Sequence, residues 1–310
     1  FLALYETDHQ VAGLFTQPDR TGRGHHRHVN PLKNAALEHG TPIFQPPNVN
    51  EPDALSNLKS LNADLCVVAA YGQILSQELL SIPRLGAINI HASLLPKYRG
   101  AAPIQYAILN GEQETGITIF QIEPQLDAGL ILGVEKTAIQ PKETSGELEE
   151  RLRDVAAGLT LRVIDQIDSG TVSHVPQDPA GVTRAPRIRK EQGAVNWSKS
   201  ADEIGNHVRA MQPWPNPYTF LCQNDRSPLR LILLDVETVP DPCEAGFDVS
   251  ESIEPGTVMC ADGKQLVVQA GEDAIRILRL RPEGKRDMAA REFSQGHRVH
   301  PGDTLRSHPG

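Results

Sequence analysis

Short apolar runs alternate with stretches of helical apolar spacing through roughly residue 170, and the pattern changes beyond that point. Runs at 11–15, 65–70, 86–90 and 116–122 predict strands, and the helical stretches between them make βαβ units, which lead to a doubly wound, mostly parallel α/β sheet. Asn30-Pro31 is a helix start that Gly40 closes, with proline at the first helical position, where its missing N–H costs nothing. Thr144 followed by Glu147 makes a capping box ahead of a long amphipathic stretch that runs to about Gly170. Phe1 to Tyr5 reads as the inside of a helix, so a further segment is expected to precede it.

Residues 175–187 are rich in proline and small side chains, the composition of a linker between bodies that pack separately. The predicted boundary falls near 183, dividing the chain into 1–183 (with a linker at 172–183) and 184–310. In the second part a helix at 201–211 precedes short β-like runs at 230–236, 256–260, 265–269 and 274–280. Several short strands separated by turn signals predict a small β-barrel. Trp197 and Trp214-Pro215 are expected to serve core and linker packing.

Composition narrows the class without choosing a function. The 310 residues carry a formal charge of −9, 39% hydrophobic and 22% charged residues, and a mean hydropathy of −0.34, all ordinary for a globular protein. No apolar run is long enough for a membrane span and no basic-then-apolar leader is visible, so a cytoplasmic location is expected. Cys66, Cys222, Cys243 and Cys260 show no CxxC and no histidine at ligand spacing, which argues against a disulfide framework and against a zinc site. The charge is uneven: residues 1–183 carry 13 Lys+Arg against 21 Asp+Glu, and 184–310 carry 17 against 18. The acidic first part is itself interrupted by Arg20, Arg23 and Arg27 among His25, His26 and His28, a local patch that could meet phosphates.

The chemistry concentrates in Ala87-Ile88-Asn89-Ile90-His91-Ala92-Ser93-Leu94-Leu95-Pro96-Lys97-Tyr98-Arg99-Gly100-Ala101-Ala102-Pro103-Ile104. Asn89 and His91, two apart, share one side of a strand at its C-terminal end, where open α/β sheets bind ligands. Alone, such a pair is usually a satisfied core Asn and His. Leu126-Asp127-Ala128-Gly129 adds a carboxylate in a glycine-bearing loop after the next predicted strand. By itself, Asp-x-Gly is usually just a turn.

Taken in order, strand, N-x-H-x-SLLP-x-x-RG-x-AP, Gly116-Ile117-Thr118-Ile119 and Leu126-Asp127-x-Gly129 resemble the folate-dependent formyltransferase family. The likeness extends from Phe15-Thr16-Gln17-Pro18-Asp19-Arg20 through Arg99 to Gln105 and on to Met211-Gln212-Pro213-Trp214-Pro215, and it is closest to the branch acting on aminoacyl-tRNA.

That resemblance implies a Rossmann-like catalytic domain followed by an OB-like barrel, with 10-formyltetrahydrofolate as co-substrate, no metal, and initiator methionyl-tRNA as acceptor in a monomeric enzyme of translation initiation. It implies that Asn89 and His91 stabilise an oxyanion while Asp127 orients and charges His91, and the neighbouring carboxylate is expected to raise the His91 pKa. Which of His91 and Asp127 takes the amine proton stays open. Ser93, Leu94, Leu95 and Pro96 correspond to the folate-contacting segment. Arg20, Arg23 and Arg27 correspond to a loop that meets the acceptor arm, and Lys285 and Arg286 to a basic turn of the barrel. The family's first strand and turn, which help form the amino-acid pocket, have no counterpart here.

Two other functions compete. The same three polar residues would serve a formyltransferase acting on a small amine, such as glycinamide ribonucleotide or an amino sugar nucleotide. A catalytically silent nucleic-acid or folate-binding protein would have no need to keep them. The basic stretch at 20–28, Ala101-Ala102 after Arg99-Gly100 and the long second part favour tRNA.

Overall fold

The computed structural model describes residues 1–19, 30–224, 226–240 and 253–309. The chain divides into two compact units: residues 1–100, 116–137 and 151–184 form one, and residues 101–115, 138–150 and 185–310 the other.

In chain order the elements are β1 (Leu14–Phe15), α1 (Pro31–Glu38), β2 (Ile43–Phe44), α2 (Pro52–Ser60), β3 (Cys66–Val68), α3 (Gln77–Leu80), β4 (Ala87–His91), β5 (Arg99–Gly100), α4 (Pro103–Leu109), β6 (Glu114–Gln121), β7 (Ile131–Ala138) and α5 (Ser145–Asp168). A short 3-10 turn at Leu2–Glu6 precedes them. β1 and β2 pair in parallel, and a separate sheet runs β3-β4-β6-β7. β3 and β4 are parallel, as the βαβ pattern predicts, whereas β6 runs antiparallel to β4, with Asn89 opposite Phe120 and His91 opposite Thr118. Thr115 to Phe120 of β6 is buried almost without interruption, the mark of a strand covered on both faces. Ala87 and Ile88 are likewise buried, and Ala87 packs with Val49, Leu55, Leu58, Leu79 and Leu80. A rigid apolar base thus ends in the polar residues of the β4 tip.

The helix starts follow the sequence signals. Asn30 caps α1 by accepting from the Leu32 N–H, and Gly40 adopts φ +67° just beyond it. At α5 the Glu147 carboxylate accepts from the Thr144 N–H (2.9 Å) and the Thr144 hydroxyl accepts from the Glu147 N–H (3.3 Å), the reciprocal pair of a capping box.

The chain continues with β8 (Arg184–Ala185) and, in the second unit, α6 (Ala201–Ala210), β9 (Tyr218–Cys222), β10 (Leu229–Val239), β11 (Val258–Ala261), β12 (Leu266–Gln269), β13 (Ala274–Pro282), β14 (Met288–Ala289), α7 (Ala290–His297) and β15 (Thr304–Arg306). Among the described residues, its sheet has the order β11-β12-β13-β10-β9-β15, with β14 beside β13. The two ends approach through Thr257 and Thr304 and through the bond from the Leu305 N–H to the Gly256 carbonyl (2.7 Å), so the sheet nearly closes into a barrel. Its core holds Trp197, Leu231, Leu233, Leu266, Ile275 and Phe293, with Ile204 and Val208 of α6 packed on it. α6 starts at a second reciprocal cap, Ser200 with Glu203.

Trp197 is buried at 3% exposure and donates its indole N–H to Thr219, which agrees with core packing. Trp214 is 52% exposed, contrary to the packing role expected of it. It lines an open cleft of about 950 Å³ with Tyr106, Arg187, Arg189 and Gln192. Its place after Met211 and before Pro215 said nothing about which way the indole would face.

Candidate active site

β4 delivers Asn89 and His91 to the tip of the sheet from a backbone paired on both sides. His91 is buried, and its Nε2–H donates to the Tyr98 carbonyl at 3.0 Å. Because a carbonyl can only accept, this bond places the proton of the neutral imidazole on Nε2 and leaves Nδ1 with a lone pair. Nδ1 faces Oδ2 of Asp127 across 3.9 Å. The ring also meets Phe120 edge-on, with centroids 6.3 Å apart. The Asn89 side chain is half-buried and its amide hydrogen-bonds none of the described residues, so both its donors are free.

Burial pulls the His91 pKa below its ordinary value, against the opposing influence of Asp127 and of the Tyr98 bond. The expected rise is therefore corrected. The carboxylate does attract the imidazolium, but from outside hydrogen-bond range, and removing a charged ring from water costs more than that attraction returns. His91 rests neutral near pH 7.

Asp127 arrives in the left-handed conformation, φ +50°, a region that Asp tolerates better than most residues. Its side chain is only 11% exposed, and Oδ2 accepts the Gly100 N–H at 2.8 Å. Two residues later the Gly129 backbone lies so close to the Gln121 carbonyl that a Cβ there would sit 1.8 Å from the oxygen. Only glycine lets the loop fold down onto the end of β6.

Ser93 is fully buried, and its hydroxyl donates to the Lys97 carbonyl at 2.7 Å. The Thr118 hydroxyl donates to the Ser93 carbonyl (2.6 Å) and accepts from the Leu95 N–H (3.1 Å), which pins the loop to β6. Leu95 is buried, while Leu94 and Pro96 remain half-buried, so the apolar surface this segment can offer a flat ligand belongs to those two. Leu95-Pro96 is a cis peptide bond.

Sequence reasoning missed several residues that hold this site. Tyr98, at φ +63°, supplies the carbonyl that fixes the His91 tautomer, and its own N–H donates to the Thr183 hydroxyl at 2.8 Å. A bulky residue in that region costs about 1–3 kcal/mol, a cost the surrounding bonds must offset. Gly100 and Gln177 are equally involved, the latter from the stretch whose composition suggests only a linker. A lone Gln among Pro and small residues was the one available signal.

Of the remaining candidates, Lys285 and Arg286 sit on an exposed turn between β13 and β14, where Arg286 donates to Glu292 at 3.0 Å. Arg20, Arg23 and Arg27 lie outside the described residues. Among the described residues no group of three His, Cys, Asp or Glu is arranged to hold a metal ion, and no helix is long and apolar enough to cross a membrane.

A Rossmann-like α/β unit and a second unit built on a nearly closed antiparallel sheet are the architecture of a formyl transferase. Residues 2–164 match the family described as formyl transferase and residues 187–298 its C-terminal domain, and the chain belongs to this family. The chain is 40% identical over 304 residues to the methionyl-tRNA formyltransferase of Moorella thermoacetica, covering 98% of this chain and 94% of that protein. Against the protein of that name from Geobacter metallireducens it is 40% identical over 303 residues, with 97% and 93% covered. The fold is shared with the N-formyltransferase from Helicobacter canadensis solved with folinic acid and dTDP-3-aminofucose, at a TM-score of 0.62 and 17% identity over 89% of this chain and 92% of that one.

Proposed function

We infer that the chain transfers the formyl group of 10-formyltetrahydrofolate to the free amino group of methionyl-initiator tRNA, the modification that prepares the initiator for translation. Its likeness over nearly the whole length to methionyl-tRNA formyltransferases at about 40% identity carries this assignment. Asn89, His91 and Asp127 supply a site that suits the chemistry.

Attack of an amine on a formamide-like carbon develops an oxyanion and must shed a proton. The free Asn89 amide donates to the oxyanion. His91, neutral and with Nε2–H committed to the Tyr98 carbonyl, takes the amine proton on Nδ1. The Asp127 carboxylate, held by the Gly100 N–H, then faces an imidazolium instead of a neutral ring and stabilises it. The imidazolium returns the proton to the departing folate nitrogen. In this scheme His91 is the immediate base and Asp127 its electrostatic partner. Leu94 and Pro96 offer apolar contact to the folate, with Ser93 and Leu95 shaping the loop that presents them.

Residues 1–183 would perform the transfer, and residues 184–310 would hold the tRNA. Arg20, Arg23 and Arg27 are assigned to the acceptor arm on resemblance, and the exposed Lys285 and Arg286 to its phosphates. We assign the enzyme to the cytoplasm, acting as a monomer. The assay offers formyl-labelled cofactor together with charged initiator tRNA, charged elongator tRNA and glycinamide ribonucleotide. Label on initiator tRNA alone is expected; label only on the small amine would sink the assignment.

A further inference from the structure

Gln177 lies at the centre of four hydrogen bonds. Its Oε1 accepts from both Nε (3.2 Å) and Nη2 (2.7 Å) of Arg99. Its Nε2 donates to the backbone carbonyls of Asp127 (3.0 Å) and Gly129 (2.8 Å). We propose that Gln177 is a positioning residue, which the buried Arg99 guanidinium holds in place and which clamps the 127–129 loop so that the Asp127 carboxylate stays beside His91. The proposal rests on the assignment of Asp127 and His91 above.

The residue types fit this task narrowly. Arg99 is 7% exposed and presents a planar fork, two of whose N–H donors converge on the one amide oxygen. The other end of the same side chain must meet two carbonyl oxygens, and so it must carry two N–H donors. Only a carboxamide of this length offers both. A glutamate would still satisfy Arg99 but would turn an acceptor toward two acceptors.

The loop needs such a clamp. Asp127 occupies a left-handed backbone conformation, and Gly129 is pressed against the Gln121 carbonyl. Arg99 and Gly100 are neighbours on β5, so one dipeptide addresses the aspartate twice. Gly100 reaches its carboxylate directly, and Arg99 reaches its backbone through Gln177. The residues on either side of Gln177, from Ser173 to Pro176 and from Asp178 to Ala180, are exposed, so substitution there leaves the core of the unit alone.

The test compares Gln177→Glu, Gln177→Ala, Arg99→Lys and Asp127→Asn in the full-length chain, reading kcat, KM for both substrates, the pH dependence of kcat, and Tm. A displaced reacting group costs on the order of 10- to 100-fold in rate, so Gln177→Glu and Gln177→Ala should lower kcat by about that factor while leaving both KM values unchanged. Moving the carboxylate away also removes the interaction that raises the His91 pKa, so the acid limb of the kcat profile should shift to lower pH. Arg99→Lys, which keeps the charge and loses the fork, should fall between wild type and Gln177→Ala. A purely structural Gln177 would lower Tm and leave the pH profile in place, and that result overturns the proposal. Wild-type kcat in the two Gln177 variants beside an inactive Asp127→Asn also overturns it, with the site assignment intact. An active Asp127→Asn instead removes the assignment beneath it.

Discussion

Nδ1 of His91 and Oδ2 of Asp127 stand 3.9 Å apart, near enough for a charged imidazole to feel the carboxylate and too far for a hydrogen bond. The separation matters because burial already holds His91 neutral. In the proposed transfer, Asp127 would favour a charge that appears on the ring during reaction, without fixing that charge beforehand.

The rate of formyl transfer should therefore have its acid limb below the ordinary histidine value of about 6.5. The His91 pKa is lowered in the folded state, so the unfolded chain binds the proton first and stability falls as pH drops below that value. His207, half-buried and lowered by desolvation, acts in the same direction. Titration of His91 by NMR beside the kcat profile checks this; an acid limb above 6.5 would contradict the neutral resting state.

If Asn89 donates to the oxyanion as proposed, Asn89→Ala removes that donor without breaking a side-chain hydrogen bond among the described residues. Loss of one such donor costs on the order of 100- to 1000-fold in kcat. Tm should stay within a degree or two of wild type by the usual scaling for a surface-like change, roughly 0.5 kcal/mol or less. A large loss of Tm with a modest loss of rate would make Asn89 a folding residue.

Gly129→Ala places a methyl against the Gln121 carbonyl, and neither backbone can yield without moving Asp127. Overpacking of this kind costs about 1–3 kcal/mol, visible in urea unfolding, and activity should fall further than stability because the displaced loop carries the aspartate. Wild-type activity in this variant would show that the loop has room.

Cys66, half-buried on β3, has its thiol pushed up to about 11 by desolvation. At pH 8 its thiolate fraction is about one part in a thousand, against roughly a quarter for an unperturbed cysteine. Iodoacetamide should label Cys66 far more slowly in native protein than in urea, as read by peptide mass spectrometry. Equal rates in the two states would refute the desolvation of the thiol.

Much of this site was legible because strand ends, caps and loops write themselves locally. The tip of β4 is marked by polar residues after an apolar run, and α1 and α5 by their caps. The direction of β6 was not legible, since a buried run looks the same whichever way it pairs. Short helices such as α2, α4 and α7 carry too few periods to stand out. The sign of the His91 shift escaped as well: a carboxylate two motifs away is visible in sequence, but the depth of burial is a property of the packed fold. Gln177 was hidden for a related reason, because its four partners come from Arg99, Asp127 and Gly129, far off along the chain.

The two tryptophans turn the second unit into its own optical instrument. Trp197, enclosed and bonded to Thr219, should emit toward the blue and resist iodide, changing only when the barrel opens. Trp214, half in water, should emit toward the red and be quenched by iodide at once. A single excitation wavelength thus separates unfolding from events at the 950 Å³ cleft, with no label attached to the protein.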